Sequence, residues 1–530
     1  MFDYVIVGAG SAGCVLAHRL SADPAVRVCL IEAGPDDRSR FLEVPVGAVV
    51  FVPFKNRRNW GFRTEPQPGL GGRRGYQPRG RTLGGSSAIN AMCYIRGHAS
   101  DYDEWAALGN SGWSWADVLP YFKRAEDQSR GANALHGTGG PLAVSDLRSP
   151  NPLGATFIEA AIAAGIPQND DFNGSSQEGV GYYQVTQRDG ERCSAATAYL
   201  KPIRARRNLE VMTGTHALRV VFEGKRAVGV EVRRAGVVQT IRATGEVVLA
   251  GGALQSPQLL MLSGIGPGTR LQELGIPVTR ELAGVGSNLQ DHPDYVMTYR
   301  SSSHELIGLS WDGLRRLWRS WGEYQRERRG LLTSNFAEAG AFVKSTPALE
   351  RPDLQLFFVV AMVDNHARKL HFGHGFSCHV CLLRPMSTGT VDLASSDPLA
   401  DPRVNPDFFG VNADLEAMVR GFRITRSILR SSAFDRVRGR ELYTARVDSD
   451  DEIRAAIRQR ADTVYHPVGT CKMGVDTMAV VDPRLRVRGI EGLRIADCSV
   501  MPRIIGGNTN APAVMIGEKA SDLILEARRS

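Results

Sequence analysis

The sequence predicts an α/β protein that opens with a strand–turn–helix–strand unit of nucleotide-binding type. Three observations lead there. Residues 2–34, FDYVIVGAGSAGCVLAHRLSADPAVRVCLIEAG, place a glycine-rich turn between an apolar run and a helical pattern. A further apolar strand, EVVLAGG (246–252), runs into GALQSPQLLMLSGIG (252–266). The chain has 530 residues, 43% of them hydrophobic, which is more than one core usually spans.

In the N-terminal unit, Tyr4–Val7 reads as a buried strand and Ala12–Leu20 carries helical spacing. Arg27–Ile31 forms the next strand, which Glu32 ends. Gly8 permits a tight turn, Gly10 lets backbone approach a pyrophosphate, and Gly13 lets helix and strand pack closely. The helix N-terminus then offers free N–H groups to phosphate. Glu32, 19 residues beyond Gly13, is placed to accept from ribose hydroxyls, which argues against a 2′-phosphate. The unit reads as Rossmann-like. It does not separate NAD from FAD.

Three further stretches select FAD, one of them GALQSPQLLMLSGIG (252–266) after the apolar strand EVVLAGG. GRTLGGSSAIN (80–90) reads as a Gly/Ser turn entering a helix, with N–H groups exposed to a polar ring edge. In GLRIADCSVMPRIIGGNTNAPAVMIGEKASDLI (492–524) a strand is expected to end at Asp497, a loop carries Asn508 and Asn510, and a helix begins near Pro512. Such a helix start suits the anionic pyrimidine edge of a flavin. No second GxGxxG follows a strand, which argues against a pyridine-nucleotide partner. VYHPVGTCKMG (464–474) leaves His466 open as a base, a ligand beside Cys471 or a buried histidine, and it offers no further metal ligands.

Composition removes other classes. Net charge is +8 with both signs mixed along the chain, so nucleic-acid binding is not expected. Eight scattered cysteines give no disulfide framework and favour a reducing compartment. The start MFDYVIVGAG lacks a signal-peptide pattern, and no apolar run reaches about 18 residues. The expected location is cytoplasmic, with any membrane contact peripheral. DNHARKLHFGHGFSCHVC (364–381) resembles a metal site, but Cys378 and Cys381 fall three apart on an expected strand and point to opposite faces. No metal is expected there, although a loop histidine could line a pocket. SWDGLRRLWRSWGEYQRERRG (310–330) puts Trp311, Leu314, Leu317, Trp318 and Trp321 at helical spacing among arginines. The preferred reading is a lid helix whose Trp face packs over the active-site entrance or on another subunit. The alternative is a helix lying on anionic lipid.

The chain resembles the glucose–methanol–choline (GMC) oxidoreductases. The first family signature matches Gly80–Asp101, including Gly84, Gly85, Ser86, Ser87 and Asn90, and the second matches Gly252–Gly266. The glycine fingerprint and HPVGTCKMG match as well, so the likeness covers nearly the whole chain. YQPRGRTLGGSSAINAMCYIRG (76–97) is most similar to the choline-dehydrogenase-like branch. That branch holds dehydrogenases of aliphatic primary alcohols, polyethylene glycol, sorbose and choline, and oxidases of furan and aryl alcohols.

The resemblance implies an FAD enzyme that oxidises primary alcohols to aldehydes by hydride transfer to flavin N5, with quinone or dye as acceptor. The alternatives are an oxygen-using oxidase, a choline or sugar dehydrogenase, and a flavin-containing lyase. His466 is the expected base and Asn508 the donor that orients the substrate oxygen; Asn510 is a loop or cofactor contact, and these two roles could be exchanged. Ile89 stands where some relatives attach FAD through histidine, so non-covalent FAD is implied. The cofactor contacts carried over begin with Gly8, Gly10, Ser11, Ala12, Gly13, Glu32 and Ala33. The first signature adds Arg81, Leu83, Gly84, Gly85, Ser86, Asn90, Ala91 and Met92. Ala217, Ala250 and Gly251 follow, and the C-terminal segment supplies Asp497, Cys498, Asn508, Thr509 and Asn510. The expected architecture is a discontinuous Rossmann-like FAD domain (1–150, 200–300, 460–530) with an α+β substrate domain on an antiparallel sheet (150–200, 300–460). Oligomeric state stays open.

Overall fold

The computed structural model describes residues 1–529. The chain passes repeatedly between two sheets. It starts the first with β1 (Phe2–Val7), α1 (Ser11–Leu20) and β2 (Val28–Ile31), then crosses to the second for β3 (Gly179–Tyr182). It returns for β4 (Leu209–Met212), β5 (Thr215–Glu223), β6 (Arg226–Arg234), β7 (Val237–Leu249) and the helix α2 (Gly252–Leu262). The second sheet then takes β8 (Pro293–Ser301), β9 (Ala337–Val343), β10 (Leu354–Val359), β11 (His374–Leu382) and β12 (Asp462–Thr463). β13 (Leu493–Ile495) closes the first sheet. Three more helices matter below: α3 (Trp311–Glu327), α4 (Asn412–Leu429) and α5 (Asn510–Arg529).

The first sheet is parallel at its centre, in the order β4–β2–β1–β7, with β13 also on β7. Val5 lies opposite Cys29 on one side and Val247 on the other, and Leu249 lies opposite Ile495. Helices and loops cover both faces, which is why β2 is the unbroken apolar run Val28–Ile31, fully buried. The N-terminal half of β7 pairs antiparallel with β6, and β6 with β5, so a meander extends the sheet at one end. α1 and α5 lie side by side: a Cβ on Gly517 would stand 2.9 Å from the Ala12 carbonyl oxygen.

The second sheet has the order β12–β8–β11–β10–β9–β3, antiparallel throughout. Leu356, Phe358, Phe376, Cys378 and Val380 share a core with Leu415, Met418 and Phe422 of α4. Phe357, Val359 and His379 alternate onto the other face and line a large cavity.

Several local expectations shift. The turn at 80–90 does not enter a regular helix; it holds one 3₁₀ turn, Gly85–Ala88, because Ile89 leaves helical geometry at ψ 4° with φ −129°. The last strand ends at Ile495, two residues before Asp497, whose side chain instead caps the next turn through the Ser499 N–H. The final helix begins at Asn510, two residues early. Pro512 fits its first turn, where the missing N–H has no intrahelical acceptor. β8 and β12 place Pro293 and Thr463 on the antiparallel sheet, and we propose these as the interdomain boundaries in place of 300 and 460.

Candidate active site

A cavity of about 1100 Å³ lies between the carboxyl ends of β1, β2 and β7 and the open face of the antiparallel sheet. This is where a parallel sheet leaves a crevice, because the connections from β1 and β7 turn away on different sides. Gly8, Gly10, Ser11 and Ala12 line it from the first turn, and Glu32 and Ala33 from the end of β2. Gly85, Ser86, Asn90, Ala91 and Met92 form another wall. Ala217, Ala250, Gly251, Asp497, Cys498, Asn508, Thr509 and Asn510 complete this half, and His466 faces them.

Four expected cofactor contacts do not reach the cavity. Gly13 lies behind it, where a Cβ would stand 1.9 Å from the Gly8 carbonyl oxygen, so its role is the close packing of helix on turn. Leu83 is buried and donates its N–H to Pro35, and Gly84 donates to Ala9, so both hold the wall from outside. Arg81 stacks its guanidinium on Trp60, 4.3 Å from the ring centre.

His466 follows β12, and His292 precedes β8, so the pairing of these strands brings the two rings together. Their Nδ1 atoms are 3.0 Å apart and the rings are perpendicular. Asn508 Nδ2 lies 3.2 Å from His466 Nε2, and Asn508 Oδ1 accepts from Gln355 Nε2 at 3.1 Å. Asp291 accepts from the backbone N–H groups of both His292 and His466, each at 2.9 Å. Tyr465 holds a left-handed backbone, φ 77°, beside His466. Its N–H is bound by Thr463 Oγ1, its carbonyl by Arg79 and its hydroxyl by His366, which together retain the strained turn. Asn510 has a different partner: its Oδ1 accepts from Ser11 Oγ at 2.7 Å, tying the start of α5 to the start of α1.

Burial, then the neighbouring His292 and Arg79, hold His466 well below the usual histidine range, so it is a neutral acceptor at pH 7. Burial pushes Glu32 up to about 7, against the hydrogen bonds its carboxylate accepts from Gly34 and Ala9.

The N-terminal region of the GMC oxidoreductases matches residues 2–294, and their C-terminal region matches residues 385–517. The chain belongs to the GMC oxidoreductase family. It is 46% identical to an alcohol dehydrogenase [acceptor] of Pseudomonas putida, over 99% of this chain and 96% of that one. It is 44% identical to an oxygen-dependent choline dehydrogenase of Rhizobium etli, over 99% and 95%. A formate oxidase from Aspergillus oryzae RIB40, described for its FAD modification, superposes with a TM-score of 0.92 at 27% identity, over 100% of this chain and 98% of that one.

As a GMC oxidoreductase the chain binds FAD, and its cavity fits that group. Gly10 caps α1 without a side-chain hydrogen bond, which leaves the first N–H groups of α1 for a pyrophosphate. A Cβ on Gly10 would have only the Ala250 carbonyl oxygen within 4 Å, at 3.9 Å, so the turn is open toward the cavity. Glu32 keeps lone pairs for ribose hydroxyls beyond the two N–H groups it accepts. Sequence reasoning missed His292, Asp291 and Gln355. A signal existed for the first two: QDHP (290–293) repeats the His–Pro pair of YHPVG (465–469). Gln355 carries no such mark, because it looks like one more residue of an apolar strand.

The histidines of 364–381 each have other partners. His366 contacts Asp462 and Tyr465, His371 contacts Asp364, His374 contacts Ser310 and the Leu306 carbonyl, and His379 contacts Asp294. Cys378 faces the α4 core while Cys381 packs in a separate cluster with Phe357 and Leu383. Of these histidines, His366, His371 and His379 line the cavity.

Proposed function

We propose that the chain oxidises uncharged, largely apolar primary alcohols to aldehydes, with His466 as the base. The observation that carries this reading is the pairing of His466 Nε2 with Asn508 on the cavity wall. Bound FAD supplies the hydride acceptor. His466, neutral and buried, accepts the hydroxyl proton at Nε2. Asn508 Nδ2 donates to the substrate oxygen as negative charge grows on it.

The wall supports an apolar substrate. Met92, Phe336, Phe357, Val359, Met362 and Val363 line the part nearest the antiparallel sheet. The carboxylates on the described wall are Glu32 and Asp497, both on the nucleotide side and already accepting hydrogen bonds. Arg79 adds a positive charge beside His466. A quaternary ammonium therefore meets no facing carboxylate, which favours simple alcohols over choline. Ile89 is buried on the wall and has no nucleophile, which supports non-covalent FAD.

We further propose a quinone as electron acceptor and a peripheral membrane contact through 310–330. α3 lines the cavity mouth through Leu314, Leu317 and Trp318, yet Trp311 and Trp318 are 78% and 80% exposed. The name of the choline dehydrogenase relative keeps oxygen as the second reading.

His466→Ala should keep bound FAD and slow flavin reduction by alcohol at least about 10²-fold, the scale of losing a general base. Stopped-flow reduction under anaerobic conditions reads this directly. Reduction near the wild-type rate removes His466 as the base.

A further inference from the structure

His466 has two ring nitrogens, and only one can hold the lone pair that takes the proton. The structure determines which, by working inward from two backbone carbonyls that can only accept. At one end, His292 Nε2 lies 3.1 Å from the Leu383 carbonyl oxygen, so that nitrogen carries a hydrogen. Burial, with Arg384 next, holds His292 down at about 3, so it is neutral and its Nδ1 is an acceptor. His466 Nδ1, 3.0 Å away, must then carry the hydrogen between them. That leaves the lone pair of His466 at Nε2.

The other end gives the same answer independently. The Tyr183 hydroxyl donates to the Leu356 carbonyl at 2.7 Å, so its oxygen accepts from Gln355 Nε2 at 3.2 Å. The same amide nitrogen donates to Asn508 Oδ1. Asn508 therefore presents its Nδ2 hydrogens to His466 Nε2, which must be unprotonated to receive one. Each contact from Tyr183 to Leu383 has one donor and one acceptor.

We propose that His292 is a positioning residue for the reaction: by accepting from Nδ1–H of His466 it keeps the lone pair on Nε2, toward Asn508 and the cavity. The proposal rests on the reading of His466 as the base. His292 stands behind the cavity wall and does not line the cavity. It is also not the next proton carrier, because its buried ring resists a second proton. Its part resembles the orienting partner of a catalytic or metal-binding histidine, whose loss shifts the tautomer and commonly lowers rates about 10- to 100-fold.

The test uses holoenzyme carrying ¹⁵N-labelled histidine, with the His466 signals assigned by difference against His466→Gln. The expected spectrum shows a protonated Nδ1 and an unprotonated Nε2. A protonated Nε2 in the wild type overturns the proposal, and this needs no variant to fold. His292→Leu removes the acceptor and should slow flavin reduction by about 10²-fold with FAD still bound, while the Nδ1-protonated signature is lost. His292→Asn, whose amide oxygen sits near the place of Nδ1, should restore both the signature and most of the rate. Wild-type reduction in His292→Leu overturns the proposal. So does equal slowing in the Leu and Asn variants with unchanged His466 signals, the mark of a merely structural role. If His466→Ala itself reduces normally, the base reading fails instead, and the ¹⁵N spectrum still reports the contact between the rings.

Discussion

Asn508 and Asn510 stand two residues apart and face different partners. Asn508 meets His466 Nε2, while Asn510 holds Ser11 at the start of α1. Asn508→Ala should therefore slow flavin reduction about 10²-fold, the scale of removing one donor at a developing oxyanion. Asn510→Ala should weaken FAD retention more than it slows reduction. Measuring both variants by stopped flow and by FAD content checks this, and the reverse order would exchange the two roles. A second residue, His136, lies away from the cavity, buried between Glu126 and Asp171. Burial alone would lower it, but the hydrogen bonds it donates to Asp171 and Glu126 prevail and push it up to about 9. A raised folded value makes this contribution fully present below the unfolded value near 6.5 and lost as pH climbs through 9. His136→Ala should thus lose roughly 3 kcal/mol more at pH 6 than at pH 10, read from urea unfolding at both values. An equal loss at the two pH values would contradict it. At this scale the placement of Gly8, Gly10 and Glu32 on the cavity wall was legible from a motif with a chemical reason for its spacing, and that of His466 and Asn508 from the family resemblance. His292 and Gln355 were not. Their contacts with the site are hydrogen bonds to residues 174 and 153 positions away; the His–Pro pair of QDHP hinted at His292 without naming its partner, and Gln355 had no local mark.

Among elements, α3 sits at the cavity mouth, where a lid over the entrance was expected: Leu314, Leu317, Trp318 and Trp321 line the cavity. It is anchored by the buried Ser320 and Tyr324, and Tyr324 packs with Val44 and Leu332. Trp311 and Trp318 stay largely exposed, and the exposed Phe41, Val49 and Val50 also line the cavity. Helical spacing and the place at the entrance were therefore legible, but what covers the exposed part of the stripe was not, since periodicity fixes a face without saying what covers it. Arg315 and Arg319 extend the stripe with positive charge. If this face meets anionic lipid, the wild type should co-sediment with anionic vesicles, and less so at high salt. Trp311→Ser combined with Arg315→Glu and Arg319→Glu should abolish that binding. Failure of the wild type to bind, or full binding by the triple variant, would remove the membrane contact. The turn at 80–90 teaches a related lesson. Its glycines marked a turn correctly, but the short apolar stretch after them carried no period to distinguish a helix from the single 3₁₀ turn observed.

At the scale of the whole molecule, the candidate site is a cavity lined by chain segments far apart in sequence. Gly8–Ala12 comes from the first turn, Glu32 from β2, His466 from the edge of the antiparallel sheet and Asn508 from the loop before α5. The parallel core was legible from its buried apolar strands. The order of the antiparallel sheet was not, because pairing β8 with β12 joins residues about 170 positions apart. No described helix is long and apolar enough to cross a membrane. The cavity is proposed to present a neutral base beside bound FAD to an apolar alcohol. The most direct test is an anaerobic titration of the purified flavoprotein with hexanol, benzyl alcohol and choline, following flavin absorbance near 450 nm (the flavin band) and then admitting air. Hexanol or benzyl alcohol should bleach the flavin rapidly and choline little, and the colour should return slowly in air. Rapid bleaching by choline, or none by any alcohol when a chemical reductant bleaches the flavin, would contradict it.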